Sequence, residues 1–157
     1  MDADDKQQPA SEPEATPPLA GDGRFPVIGI GASAGGLRAL QAFFGHTPAD
    51  TGMAFVVIVH LVPERESDLA ALLRPHTAMP VTQVREDTPV APNRIYLIPP
   101  GWQLAIDDGL LHLEPFGDPG AHRAPIDWFF RSLAESHAGR AGAAVLSGMG
   151  ADGALGL

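Results

Sequence analysis

Runs of consecutive apolar residues alternate along this chain with segments in which apolar residues recur at helical spacing. The runs at about 25–30, 54–59 and 141–146 contain almost no polar residue, which is typical of strands buried on both faces of a parallel sheet. Helical patterns follow the first run at about 34–45 and precede the last run at about 125–134. Strands that alternate with helices predict an α/β domain of three layers, with a mostly parallel, doubly wound sheet.

Shorter patterns predict the elements between these strands and helices. They are a helix from an N-cap at Ser67 to Leu73, and strands at about 81–84, 94–98, 103–106 and 110–113. The last two strands flank Asp107-Asp108-Gly109, and a tight turn of this composition predicts an antiparallel hairpin. The mostly parallel fold is therefore expected to contain one antiparallel hairpin.

The two ends of the chain differ from its middle. Residues 1–23 are rich in proline and acidic residues and lack hydrophobic periodicity, so they are predicted to form a disordered acidic leader. Residues 24–157 are predicted to form one domain. Because the chain stops at Leu157, just where a helix is expected to follow the last strand, this domain is predicted to be incomplete at its C-terminus.

Composition argues against several classes of function. The formal net charge of −9 disfavours binding of nucleic acid through its phosphates. Cysteine is absent, which excludes disulfides and thiol nucleophiles, and the histidines lack metal-ligand spacing, so no metal site is predicted. No apolar run is long enough to span a membrane and no signal peptide is visible, so we expect a cytoplasmic location without membrane insertion.

Three polar residues, Ser33, His60 and Asp152, stand at the ends of three predicted buried strands. Ligands of open α/β sheets bind at this edge, and serine, histidine and aspartate are the parts of an acyl-transfer triad. Ser33 lies in a strand-to-helix turn of glycine and alanine, which presents a hydroxyl beside the N–H groups of a helix start. Taken singly, Ser33 fits a helix N-cap, His60 a strand-end histidine and Asp152 a turn residue, but together they favour the triad.

Several motifs, in this order along the chain, carry a family resemblance. They are Gly-Ala-Ser-Ala-Gly-Gly at 31–36, Val-Ile-Val-His-Leu at 57–61, Ile-Pro-Pro-Gly at 98–101, Arg-Ala-Pro-Ile-Asp at 123–127 and Leu-Ser-Gly-Met-Gly-Ala-Asp-Gly-Ala at 146–154. From about Phe25 to its end, the chain resembles the catalytic domain of CheB-type protein-glutamate methylesterases of bacterial chemotaxis. The motifs look closer to methylesterase domains that are fused to a receptor methyltransferase.

This resemblance implies a reaction and a set of site residues. The triad positions of the family fall on Ser33, His60 and Asp152, and its oxyanion region falls near Ala34, Gly35 and Met149. Arg123 and Asp127 fit either a substrate cleft or a surface ion pair and a helix-start charge. The implied reaction hydrolyses glutamyl methyl esters on the cytoplasmic helices of chemoreceptors to methanol and a carboxylate, and it extends to deamidation of certain receptor glutamines. No metal or organic cofactor is implied.

The implied partners are methyl-accepting chemotaxis receptors and a receptor methyltransferase, fused or separate. The sequence departs from the family pattern at Val59, where the family often has glutamine, and at Ala34, where it often has threonine. Both departures remove polar groups near the implied chemistry, so we expect a different rate or substrate choice. The 23 leader residues are too few for the receiver domain of regulated members, so phosphorylation control within this chain is not expected.

Two rival interpretations stay open. Gly29, Gly31 and Gly35 resemble a dinucleotide-binding loop, although their spacing and a histidine at the end of the second strand, where a ribose-binding acid is expected, count against it. A non-catalytic docking module with the same fold is the second rival. Residue type assigns three aromatic side chains to the core, namely Trp102, Trp128 and Phe129. It assigns five histidines to the surface, namely His46, His76, His112, His122 and His137.

Overall fold

A computed structural model describes residues 25–59, 68–117 and 124–146 of the chain. The elements in chain order are β1 (Val27–Ala32), α1 (Leu37–Gly45), β2 (Ala54–Val59), α2 (Leu69–Leu73), β3 (Val81–Gln83), β4 (Thr88–Pro89), β5 (Arg94–Leu97), β6 (Trp102–Asp107), β7 (Leu110–Pro115), α3 (Pro125–Ser136) and β8 (Ala141–Leu146). Five parallel strands form the main sheet in the order β3-β5-β2-β1-β8, and three antiparallel strands form a small sheet in the order β4-β7-β6. The predicted α/β class is confirmed.

Successive residues of a strand point to opposite faces of the sheet, so a strand in which every residue is buried is covered on both faces. All six residues of β2 are buried. Val56 and Ile58 pack with α3 and the small sheet, whereas Phe55 and Val57 pack with α1 and α2. The main sheet is therefore covered on both sides at β2, as the predicted three-layer, doubly wound arrangement requires. The prediction that 141–146 is buried on both faces was wrong: β8 is the last strand in the described sheet order, and its residues are exposed or half-buried.

Two glycines in β1 let α3 approach the main sheet closely. A Cβ built at Gly31 would lie 2.5 Å from Cγ2 of Ile126, and one at Gly29 would lie 2.9 Å from Cε1 of Phe130. Both distances are shorter than the contacts that real Cβ atoms make, so glycine fits under the helix where larger residues do not. Since Ile126 belongs to the first turn of α3, the helix begins near the carboxyl end of β1.

The predicted hairpin is formed by β6 and β7, which are joined by Asp108 and Gly109. Asp108 has φ 46° and Gly109 has φ 75°, the left-handed conformation that favours a two-residue hairpin turn. Aspartate tolerates this region and glycine adopts it freely, so the turn suits its two residues. Each strand is two residues longer than the sequence pattern indicated.

One local prediction was wrong, and one short strand was missed. The N-cap of α2 is Asp68, whose carboxylate accepts a hydrogen bond from the Ala71 N–H at 3.0 Å, whereas the pattern indicated Ser67, which lies outside the described residues. Aspartate and serine are equally good caps, so residue type alone could not choose between neighbours. The two-residue strand β4, Thr88–Pro89, was not predicted, because two residues show no periodicity.

Three aromatic side chains lie elsewhere than predicted. Trp102 and Trp128 are 43% and 45% exposed, not part of the core, whereas Phe129 is fully buried as expected. Trp128 lies on the side of α3 opposite the buried face of that helix. Trp102 is the first residue of β6, and this end of the strand is exposed. His137, the C-cap residue of α3, is buried and not on the surface.

Some predictions fall on parts of the chain that the structure does not describe, including the leader at 1–23 and the segment after Leu146. Among the helices that are described, none is long and apolar enough to cross a membrane. Within the same residues, no group of three or more histidine, aspartate or glutamate side chains is arranged to hold a metal ion.

His137 is expected to make the stability of the fold depend on pH. Burial, and then the charge of Arg140, lower the pKa of His137 below its usual value of 6.5, against a smaller opposing effect of Asp108 and Asp107. Between that lowered pKa and 6.5, the unfolded chain binds more protons than the folded chain. The free energy of unfolding is therefore expected to fall as the pH falls through this range.

The variant His137→Gln should flatten this pH dependence, because an amide cannot take up the proton. Urea unfolding of both proteins at about pH 7.5 and about pH 5.5 brackets the titration of histidine and measures the effect. His76→Gln, at an exposed position, is the matched control and should keep the wild-type slope. An unchanged slope in His137→Gln would show that another group carries the dependence.

Candidate active site

Three neighbouring strands of the main sheet, β2, β1 and β8, end level with one another. Ala32, the last residue of β1, pairs with Val59 of β2 on one side and with Leu146 of β8 on the other. Neighbouring strands lie about 4.8 Å apart, so the chain leaves the sheet at three adjacent points along one edge. Ser33 follows β1 at this edge, and the open edge of such a sheet is where ligands bind.

Ser33 occupies the turn between β1 and α1. Its backbone is extended, with φ −79° and ψ 170°, and its carbonyl accepts a hydrogen bond from the Gly36 N–H at 2.8 Å. A single 3₁₀ turn, Ala34–Gly36, then leads into α1. The side chain is half-buried and makes no N-cap hydrogen bond to this turn. The described geometry therefore does not support the simple N-cap interpretation of Ser33.

The backbone after Ser33 supplies hydrogen-bond donors. The first N–H groups of a helix have no partner within it, and here these belong to Ala34 and Gly35, since the Gly36 N–H is bonded to Ser33. Gly35 lies beside the hydroxyl: a Cβ built there would be 4.0 Å from Ser33 Oγ. The turn can therefore offer N–H groups next to a hydroxyl, as stabilisation of an oxyanion requires.

Asp127 lies in the first turn of α3 and is only 6% exposed. Its neighbour Ile126 packs over Gly31, two residues before Ser33, so the turn that holds Asp127 lies near the same sheet edge. Asp127 is therefore a buried acidic side chain in a helix start, and its pairing with Arg123 stays a prediction. Its predicted partner Arg123 lies outside the described residues.

The predicted site is described only in part. The structure describes Ser33, Gly35, Asp127 and the backbone of Ala34. The other predicted residues, His60, Arg123, Met149 and Asp152, lie outside the described ranges. The triad and the oxyanion region therefore remain predictions.

The glycines that suggested a dinucleotide-binding loop have another role. Gly29 and Gly31 lie inside β1, where they face Phe130 and Ile126 of α3. A phosphate-binding loop needs its glycines in the turn after the strand, where the backbone can approach a pyrophosphate. Only Gly35 of the three lies in the turn, so the packing of α3 accounts for the pattern.

A groove extends along the carboxyl ends of β3 and β5, and no sequence pattern indicated it. It consists of two depressions of about 690 Å³ and about 480 Å³ that share Gln83 and Arg85. The larger depression is bounded by the α2 region and β3, and the smaller one reaches Trp102 and Leu113. We call this feature the edge groove.

The comparisons with known proteins identify the family. Residues 28–157 match the family model described as CheB methylesterase. The chain belongs to this family. The resemblance carried by the five motifs is thereby confirmed over nearly all of the predicted domain.

Curated members of the CheB methylesterase family include proteins named protein-glutamate methylesterase/protein-glutamine glutaminase. One from Xanthomonas oryzae pv. oryzae is 36% identical over 142 residues, which cover 83% of this chain and 37% of that protein. One from Burkholderia lata is 36% identical over 143 residues, covering 86% of this chain and 40% of that protein. The chain thus spans well under half the length of these relatives.

A solved structure of the same family shares the fold. The crystal structure of the Thermotoga maritima CheB methylesterase catalytic domain has a TM-score of 0.74 to this chain at 26% sequence identity. The similarity covers 84% of this chain and 72% of the other. The main parallel sheet with a small antiparallel sheet is therefore the architecture of a CheB catalytic domain.

Proposed function

We propose that this chain is a protein-glutamate methylesterase that hydrolyses glutamyl methyl esters on chemoreceptors through Ser33, His60 and Asp152. The observation that carries the proposal is the position of Ser33 in a CheB-family fold. It follows β1 at the ligand-binding edge, in a turn whose first N–H groups have no partner within the helix.

The register of the sheet supports a role for His60. Ala32 and Val59 are paired across β1 and β2, and Ser33 and His60 are the residues that directly follow them. The chain therefore leaves β2 one strand spacing, about 4.8 Å, from the point where it leaves β1. A general base must lie within hydrogen-bond reach of the proton that it removes, and this starting distance is compatible with that requirement.

In the proposed mechanism, Ser33 Oγ attacks the ester carbonyl carbon while His60 accepts the hydroxyl proton. The carbonyl oxygen becomes an oxyanion, which the N–H groups near Ala34 and Gly35, with the segment around Met149, stabilise. The intermediate collapses to an acyl-enzyme, and methanol leaves with the proton from His60. Water then attacks the acyl-enzyme by the same route and releases the glutamate carboxylate.

Asp152 orients the His60 imidazole in this mechanism and stabilises its charged form. Glutamine differs from the ester only in its leaving group, so the same steps deamidate a receptor glutamine and release ammonia. The proposed partners are methyl-accepting chemotaxis receptors and a receptor methyltransferase, and the proposed location is the cytoplasm. The proposed steps need no metal or organic cofactor.

Release of methanol from a methyl-esterified chemoreceptor tests the proposal directly. We expect the chain to release methanol at a rate well above that of the receptor alone. A chain that unfolds cooperatively but releases no methanol would instead favour the docking-module interpretation. In a thermal melt, a nicotinamide dinucleotide should not raise the melting temperature, because Gly29 and Gly31 lie against α3 and not in a phosphate-binding turn.

The variant Asp152→Asn is expected to fold but to lower kcat by about 10⁴-fold, because the amide stabilises the wrong histidine tautomer. The measurement is kcat for methanol release, together with a thermal melt of both proteins. Asp108→Asn, in the hairpin turn, is the matched control, because asparagine also tolerates the left-handed conformation there. A kcat close to that of the wild type would remove Asp152 from the mechanism.

A further inference from the structure

The edge groove lies at a definite distance from Ser33. In the main sheet, β5 is two strands from β1 and β3 is three strands from β1. With a strand spacing of about 4.8 Å, the groove begins about 10–15 Å from the serine along the same edge. A helical segment covers this distance in about two to three turns, and an extended segment in about four residues.

Arg85 lies at the centre of the edge groove, since it lines both depressions. It is exposed, and its guanidinium forms no ion pair or hydrogen bond with the described residues. The adjacent Glu86 and Asp87 also line the smaller depression, yet neither is paired with it. A planar guanidinium of this kind is suited to two parallel hydrogen bonds with a carboxylate.

Three other charged side chains of the groove have partners within the protein. Arg74 donates to the Val81 carbonyl at 3.3 Å, and Asp68 caps α2. Asp87 lies 3.2 Å from His112 Nδ1. Arg85 is therefore the groove cation, among the described residues, whose guanidinium has no contact within the protein that would hold it away from a ligand.

Trp102 forms the other end of the groove. Its indole is 43% exposed at the start of β6, although Leu104 and Ile106 on the same face of the strand are buried. Leu113 of β7 lines the same depression. A large exposed aromatic side chain in a groove is typical of a surface that packs against an apolar group of a ligand.

A methyl ester is small and neutral, so it offers little by which an enzyme selects one protein substrate over another. We propose that the edge groove binds the segment of the substrate protein that flanks the glutamyl ester. Arg85 pairs with an acidic side chain of that segment, and Trp102 packs against an apolar one. This inference rests on the proposed methylesterase function and adds to it a site of substrate selection.

The test compares kinetics of wild type and Arg85→Gln on methyl-esterified chemoreceptor and on N-acetylglutamate γ-methyl ester. We expect Arg85→Gln to raise KM for the receptor about fivefold at low ionic strength with kcat unchanged. The small ester does not reach the groove, so its kcat/KM should stay the same. Arg85→Lys should restore part of the affinity, because it keeps the charge but loses the planar fork.

Arg131→Gln is the matched control, because it makes the same change at an exposed position on α3, away from the groove. The wild-type KM should rise with salt, and this rise should be smaller in Arg85→Gln, since salt screens exposed charges. An unchanged KM in Arg85→Gln, an equal rise in Arg131→Gln, or a parallel loss on the small ester would overturn the inference.

A binding experiment separates this inference from the proposed function. The chain contains two tryptophans, so Trp128→Phe leaves Trp102 as the sole indole reporter. Titration with an acidic receptor peptide is expected to change its fluorescence, and Arg85→Gln should weaken that binding. Such a response without methanol release would support the groove and reject the esterase, whereas methanol release without the response would do the reverse.

Discussion

Alanine in place of Ser33 is expected to abolish methanol release from a methyl-esterified chemoreceptor. The substitution removes the proposed nucleophile, and loss of a triad serine lowers kcat by roughly 10⁵–10⁶-fold. The fold should survive, because the Ser33 backbone, not its side chain, makes the 2.8 Å hydrogen bond to Gly36 and no N-cap bond is lost. Measurement of methanol by single-turnover and steady-state assays, with a thermal melt of each protein, checks the prediction.

His60→Ala should have an effect of the same size, because serine and histidine act as one unit. The double variant Ser33→Ala/His60→Ala should therefore be no slower than either single variant. Ser132→Ala is a suitable control, since Ser132 is a serine of α3 whose hydroxyl accepts a hydrogen bond from the Ile106 N–H at 3.0 Å. It should cost stability but keep turnover. Intact turnover in Ser33→Ala or His60→Ala would exclude the triad.

The strand β2 could be predicted from the sequence because burial on both faces leaves a continuous apolar run, and β8 has a similar run although none of its residues is buried. β2 and β8 were predicted with the observed bounds, and the hairpin was predicted from Asp107-Asp108-Gly109. These features depend on residues that are close together in the chain. A local pattern is therefore enough to specify them.

The order of the strands could not be predicted in the same way. β5 lies between β2 and β3 in the sheet, although α2, β3 and β4 separate it from β2 along the chain. Such pairings depend on contacts between distant residues, which leave no periodic pattern in one sequence. The same limit explains Trp102 and Trp128: hydrophobic residue types suggested a core position, but only the packing of β6 and α3 shows which side chains are left exposed.

The candidate site shows the same division. Ser33 was predicted from a local strand-to-helix turn, and the structure confirms that turn. The edge groove combines the α2 region, β3, the segment after β5 and β6, so no short motif contains it. Arg85 is one exposed arginine among several in the sequence, and its position in the groove distinguishes it from the others.

Gly31→Ala is expected to destabilise the fold by about 1–3 kcal/mol, because the new methyl group overpacks the interface between β1 and α3. It would lie 2.5 Å from Cγ2 and 3.0 Å from Cδ1 of Ile126. Cγ2 is attached directly to the branched Cβ of Ile126, so it cannot swing away as the end of a long side chain could. Denaturant unfolding measures the loss, and α3 is the element that must shift.

Two further variants show whether the loss comes from this contact. Gly45→Ala, in α1, places a Cβ at an ordinary 3.8 Å from the His76 carbonyl oxygen and should be neutral or stabilising. The double variant Gly31→Ala/Ile126→Ala removes the clashing side chain, so it should be more stable than the sum of the two single effects predicts. Strict additivity would mean that α3 does not press on Gly31. A double variant that is more stable than the sum predicts would instead show that the glycines which resemble a nucleotide-binding loop allow α3 to pack closely against β1, beside Ser33.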